Sequence, residues 1–156
     1  MLTEKLRGKE VKIVKDIEKL SDDILGGNFL AIDPASKSAG YALFSKGELV
    51  ESGSIEAPEG PIAVRLDYMR GELAKLIGRK SIGAVAVEKV RSHTGHVFLT
   101  WSAGTLVSAT KSPKVIEITT TMWKKNIDPK KYLKSDEQDA IEIGRFVVTI
   151  AKELKG

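Results

Sequence analysis

The sequence predicts an α/β domain built on a mixed five-stranded sheet with helices on its faces. Three short strand-like runs follow one another through tight turns, which favours an antiparallel meander. Two later apolar runs, Ile82–Glu88 and Lys114–Ile118, are each reached through a helical segment, so they should run parallel to the first strand by right-handed crossover. Amphipathic stretches between and after them supply the covering layers.

In chain order, Glu10 to Leu25 places Ile13, Ile17, Leu20 and Ile24 on one helical stripe, closed by Gly26 and Gly27. Asn28–Asp33 (NFLAID) is short and mostly apolar, as a buried strand is, and is expected at the sheet's centre with Ile82–Glu88 (IGAVAVE) beside it. Ala39–Ser45 and Glu48–Ile55, separated by Lys46-Gly47, form a hairpin. Pro61 opens a helix with Ile62, Leu66, Met69, Leu73 and Leu76 on one face, ending near Gly78. Thr94 to Thr110 and Ser135 to Leu154 are the remaining helices. There is no internal repeat and no linker. Residues 1–27 form a helical extension and residues 28–156 the main domain.

At 156 residues and 42% apolar content, the chain has material for one real core. No apolar run approaches the roughly 20 residues that span a bilayer, and the N-terminus lacks a signal-peptide pattern, so a cytoplasmic protein without membrane partners is expected. The absence of cysteine excludes disulfides and zinc-thiolate sites. The net charge of +4 is modest, but its placement is informative. Residues 1–27 balance, whereas Thr119 to Lys134 carries Lys124, Lys125, Lys130, Lys131 and Lys134 against Asp128 alone. The stretch from Ser135 is net acidic. Lysines that contact phosphate leading into carboxylates that hold metal suit a nuclease; the plain alternative is a solvated loop.

Asp33 and Glu88 each end an apolar strand, at the edge where open α/β sheets bind ligands. On adjacent parallel strands the two carboxylates become neighbours, and a divalent cation is the simplest way to relieve their repulsion. Singly, Asp33 before Pro34 reads as a turn residue and Glu88 as a solvated strand end. The last helix adds to the case. Its stripe of Ala140, Ile143, Val147, Ile150 and Leu154, extended backwards, reaches Asp139 or Asp136. Ser135 or Asp136 can cap the helix. Capping does not explain Asp139, a turn inside on the stripe that meets the sheet, where an unpaired carboxylate is costly. An all-oxygen set of Asp33, Glu88, Asp136 and Asp139 suits Mg2+, with Mn2+ able to substitute, rather than zinc. Two such ions, about 3.5–4 Å apart, would clamp a scissile phosphate.

These residues resemble a known family. NFLAID followed by GYALFSKGELVESGSI is similar to the opening of the RNase H-like fold as RuvC-type Holliday-junction resolvases use it. There the first aspartate precedes a Ser/Gly-containing turn and a strand reading G-x-A. AVAVE resembles that family's fourth strand with its terminal glutamate, and SDEQDAIEIG its D-x-x-D-A motif. The resemblance covers residues 28–154. It implies an RNase H-like sheet, two Mg2+ ions per active site, and symmetric nicking of branched DNA by a homodimer. VIEITTTMWKK resembles the family's fifth strand and the segment after it, which implies Lys124 as a phosphate-contacting catalytic lysine and Lys131 as a second. Lys37, Arg91, Lys125, Lys130 and Lys134 join them as candidate DNA contacts. The short segment before the last helix, where a helix looks truncated, and the added N-terminal helix depart from the pattern and point to a divergent branch such as phage or viral resolvases.

Helix Thr94–Thr110 carries Phe98, Trp101, Leu106 and Val107, more apolar surface than one sheet face needs. The resemblance implies a C2 dimer through Phe98 and Trp101; the alternative is that these residues are core. His93 and His96 read as loop or DNA-contact residues first and as neighbours of the metal site second. Two other functions fit the same motifs: an RNase H-like nuclease acting on RNA or RNA–DNA hybrid, of the YqgF type, and an inactive module that binds branched DNA. A DEDD-type exonuclease needs D-x-E, and here Pro34 and Ala35 follow Asp33. The chain is too short for the two domains of an actin-like ATPase.

Overall fold

The computed structural model describes residues 8–35, 37–89, 97–112, 114–125 and 127–156, without the side chains of 97 and 99. Five strands form one sheet: β1 (Asn28–Asp33), β2 (Ser38–Ser45), β3 (Glu48–Glu56), β4 (Ile82–Glu88) and β5 (Val115–Ile118). Their order is β3-β2-β1-β4-β5, with β1 central. β2 pairs antiparallel with β1 and β3, while β4 and β5 continue parallel to β1. The sheet is therefore the mixed one that the meander and the two crossovers predict.

Alternation along the strands divides the core in two. One face carries Phe29, Ala31, Ala42, Phe44, Ala84, Ala86, Ile116 and Ile118. It is covered by α1 (Lys9–Lys19), α2 (Ser21–Gly26), α5 (Thr120–Lys124) and α6 (Asp136–Lys155). The other face, with Leu30, Ile32, Tyr41, Leu43, Val85 and Val87, is covered by α3 (Ile62–Ile77) and α4 (Val97–Thr110). Local signals act as expected. Lys46 and Gly47 both adopt positive φ, as the two-residue hairpin turn demands. Pro61 stands at the N-cap of α3, and Gly78, at φ 59°, closes it.

Three elements differ from the sequence expectation. The helix expected over Glu10–Leu25 is two helices, broken at Leu20. Ser21 Oγ donates to the Glu18 carbonyl, a side-chain bond that competes with the helical ladder at that point. Ile13, Ile17 and Ile24 remain buried, in one core with α6 and β5. The second difference is α5, a single turn after β5 anchored by buried Met122 and Trp123. Third, α6 is buried over more than its predicted stripe: Ile141, Phe146, Val148 and Ala151 are also inside. The added helices α1 and α2 cover the flank that the stripe alone would leave to solvent. Among the described residues no helix is long and apolar enough to cross a membrane.

Two glycines set how closely α6 lies on the sheet. A Cβ at Gly40 would collide with the backbone carbonyl of Asp136, and one at Gly144 with the ring of Phe44. Gly40→Ala has no flexible side chain to displace, only helix backbone. It is expected to cost about 1–3 kcal/mol, the usual range for overpacking, and to shift the first turn of α6. Urea denaturation measures the loss; wild-type stability in the variant would show that α6 is not held by this contact.

Candidate metal centre

Asp33 is the last residue of β1 and Glu88 the last of β4. The parallel register pairs Ile32 with Val87, so the next step places the two carboxylates side by side. Both are in phase with the alanines that face α6, Ala31 for Asp33 and Ala84 and Ala86 for Glu88. Across β1, Asp33 pairs with Gly40. Because Gly40 lacks a side chain, the backbone of Asp136 sits directly against β2 at this point.

The cap of α6 is Ser135, whose hydroxyl accepts from the Gln138 N–H at 3.0 Å. That settles which residue caps: the Asp136 side chain turns to the sheet and accepts from Ser38 Oγ. Asp139, a turn further in, is buried at 9% exposure, as is Asp33. It accepts from Tyr132 Oη, and Glu88 accepts from Thr120 Oγ1. Three carboxylates from two elements thus each meet a hydroxyl from a separate part of the chain. Among the described residues no three acidic or imidazole side chains converge closely enough to enclose an ion as they stand.

The electrostatics tie the four together. Burial pushes Asp33 up to about 9, and the charges of Glu88, Asp139 and Asp136 push in the same direction. Asp139 is also raised, first by burial, with the Tyr132 hydroxyl and Lys124 opposing and Glu88 and Asp136 adding to the rise. Burial, then the bond to Asp139, raises the Tyr132 phenol. A partly buried cluster of like charge made only of carboxylates has the donor chemistry of a hard divalent cation such as Mg2+ or Mn2+, which would hold it in its ionised form.

The basic residues divide. Lys124 is exposed, lies over Trp123 at 5.4 Å from the ring centre, and is near enough to Asp139 to act on it electrostatically. Lys37, Lys130, Lys131 and Lys134 are exposed and form no ion pair among the described residues. Lys125 is instead paired with Glu10 of α1 at 3.5 Å. Arg91, His93 and His96 lie outside the described residues. On α4, Leu106 is wholly buried and Val107 packs against the second core, whereas Phe98 and Trp101 are 45% and 51% exposed and meet edge to face at 5.4 Å. The core alternative therefore fails for the two aromatics and holds for the two aliphatics.

Sequence reasoning missed Ser38, Thr120 and Tyr132 as partners of the cluster. Ser38 stands in the Ser/Gly-containing turn after β1. Nothing local distinguishes Thr120 from Thr119 and Thr121, or marks Tyr132 among the lysines.

The sheet order and the helices on its two faces give this chain an RNase H-like α/β fold of the RuvC type. No protein-family model matches this sequence, and no curated protein matches it. Solved structures do. RuvC of Thermus thermophilus superposes with a TM-score of 0.62 at 16% identity, over 82% of this chain and 96% of that chain. The T. thermophilus RuvC structure in complex with a Holliday-junction substrate gives 0.61 at 16%, over 81% and 95%. The yeast mitochondrial Holliday-junction resolvase Ydc2 gives 0.53 at 12%, over 96% and 88%. The Ydc2 match spans more of this chain than residues 28–156 could supply, so it reaches into the N-terminal helices. None of these neighbours supports a phage or viral branch.

The raised Asp33 sets a pH dependence. In the unfolded chain it loses its proton near 3.8, and in the fold near 9. Between these values the folded state binds more protons, so raising the pH costs stability. With metal chelated, stability is expected to fall from about pH 4 to about pH 9, by at most about 1.4 kcal/mol per pH unit. Asp33→Asn should remove that slope, and Mg2+ should offset it in the wild type. Urea titrations across the range measure this; parallel curves for wild type and variant would mean that Asp33 ionises as an ordinary carboxylate.

Proposed function

We propose that this chain is a divalent-metal-dependent endonuclease that resolves four-way DNA junctions, acting as a homodimer. The observation that carries the reading is the gathering of Asp33, Glu88, Asp136 and Asp139 at one end of a RuvC-type sheet, with the exposed Lys124 near them. The likeness to RuvC bound to a Holliday junction supports branched DNA as the substrate. Bound cations would supply Lewis-acid charge at the scissile phosphate and a water more readily ionised than bulk water. The four carboxylates would hold that charge in place, with Asp33 and Asp139 buried at its inner side. Lys124, beside Asp139, and Lys131 on the same segment take phosphates, with Lys37, Lys130 and Lys134 extending the basic surface. Lys125, already paired with Glu10, contributes less than its neighbours.

The deciding experiment is incubation of a labelled synthetic four-way junction with the protein and Mg2+. Cleavage is expected in the wild type. Asp33→Asn, Glu88→Gln, Asp136→Asn and Asp139→Asn should each lose it by about 100-fold or more while still binding the junction, because phosphate contacts come from lysines. A variant that cuts at the wild-type rate takes its residue out of the site. Preferential cutting of an RNA–DNA hybrid in the same assay would favour the YqgF-type reading, and metal-independent binding without cleavage the inactive module.

Resolution needs two symmetric cuts, and the exposed Phe98–Trp101 pair supplies an apolar contact for an isologous interface. Trp101→Glu is expected to yield a monomer that still binds metal and nicks without pairing its cuts. Sedimentation on and off the junction checks this; a wild type that stays monomeric on a junction would remove the resolvase reading and leave the nuclease one.

A further inference from the structure

The hydroxyls that meet the carboxylates have a pattern. Ser38 opens β2, Thr120 opens α5, and Tyr132 lies in the segment before α6. Each donates to a single oxygen of one carboxylate: Oδ2 of Asp136, Oε1 of Glu88 and Oδ1 of Asp139. No residue is shared among the three bonds. Asp33, the remaining member, faces Glu88 instead.

A carboxylate so held has one oxygen committed to a donor. Gripping an ion with both oxygens then requires giving up a charge-assisted hydrogen bond. Divalent ions differ in how much this matters. Ca2+ takes six to eight oxygens at about 2.3–2.6 Å and commonly uses carboxylates through both of theirs. Mg2+ takes near-octahedral geometry at about 2.0–2.1 Å, retains several waters, and needs only one oxygen from each carboxylate.

We propose that Ser38, Thr120 and Tyr132 are selectivity residues of the metal centre, confining Asp136, Glu88 and Asp139 to one-oxygen ligation and so favouring Mg2+ over Ca2+. They are positioning residues, acting through the carboxylates. The inference rests on the metal-centre reading and adds to it which ion the site prefers and what enforces the preference.

Calorimetric titration of the full chain with MgCl2 and separately with CaCl2 tests this without any cleavage step. Tyr132→Phe, Thr120→Val and Ser38→Ala each delete a hydroxyl with little change in volume, and circular dichroism checks their folding. The ratio of Mg2+ to Ca2+ affinity is expected to fall about fivefold or more in each, chiefly through tighter Ca2+ binding. Thr120→Ser, which keeps the hydroxyl, should restore the wild-type ratio. Ser52→Ala, which removes a hydroxyl bonded to Glu137 outside the cluster at 2.7 Å, should leave it unchanged. Ratios within twofold of wild type in all three deletions would overturn the proposal, as would an equal shift in Ser52→Ala or a failure of Thr120→Ser to restore selectivity. A wild type that binds neither ion would overturn the metal-centre reading itself, a result distinct from binding without selectivity.

Discussion

The close contact between the first turn of α6 and the middle of the sheet is the constraint on which the rest of the molecule depends. Gly40 and Gly144 remove the side chains that would hold the helix off β2, and the alanines at 31, 42, 84 and 86 keep the intervening floor low. A helix resting on larger residues would stand farther away, and Asp136 and Asp139 would no longer reach the plane of Asp33 and Glu88. Small residues here cost some apolar burial. The loss is offset by the wide buried face of α6, which packs against the sheet on one side and the N-terminal helices on the other.

That geometry forces a concentration of like charge. Four carboxylates drawn from two strand ends and one helix start repel one another where burial already disfavours ionisation, and Asp33 carries most of the consequence. The hydroxyls of Ser38, Thr120 and Tyr132 each donate a hydrogen bond into the cluster, and Lys124 adds a positive charge nearby. A site that the isolated fold tolerates poorly, but that a cation would relieve, is the usual arrangement when function and stability oppose each other. This opposition is why the pH dependence of stability and the proposed metal chemistry report on the same residues.

The N-terminal helices take part in the same arrangement. Their isoleucines complete the core beneath β5 and α6, and Glu10 draws Lys125 away from the basic segment. One lysine of the run is therefore already paired, while Lys124 stands near Asp139 and Lys130, Lys131 and Lys134 are exposed. On the opposite face, α4 buries Leu106 and leaves Phe98 and Trp101 at the surface, so one amphipathic element serves both the core and the proposed interface.

Much of this was legible in the chain. Short apolar runs and tight turns specified five strands, and the connections between them put β1 at the centre with β4 beside it. Two of those runs ended in Asp33 and Glu88, at the edge where such sheets bind ligands. The helical stripe of α6 pointed back to Asp136 and Asp139. These features are local or arise from chain connectivity, so a single sequence suffices to read them. Other features depended on surfaces meeting. Whether Ser135 or Asp136 caps α6, whether Phe98 and Trp101 are core, and which lysine is already paired are decided by contacts between residues far apart in sequence. The hydroxyl partners are the clearest case. Ser38 lies 98 positions from Asp136 and Thr120 lies 32 from Glu88, and no local pattern encodes either bond. The sequence determined which carboxylates end the central strands and begin the last helix; only the folded chain, by bringing β2, α5 and the segment before α6 around them, decided which donors hold them.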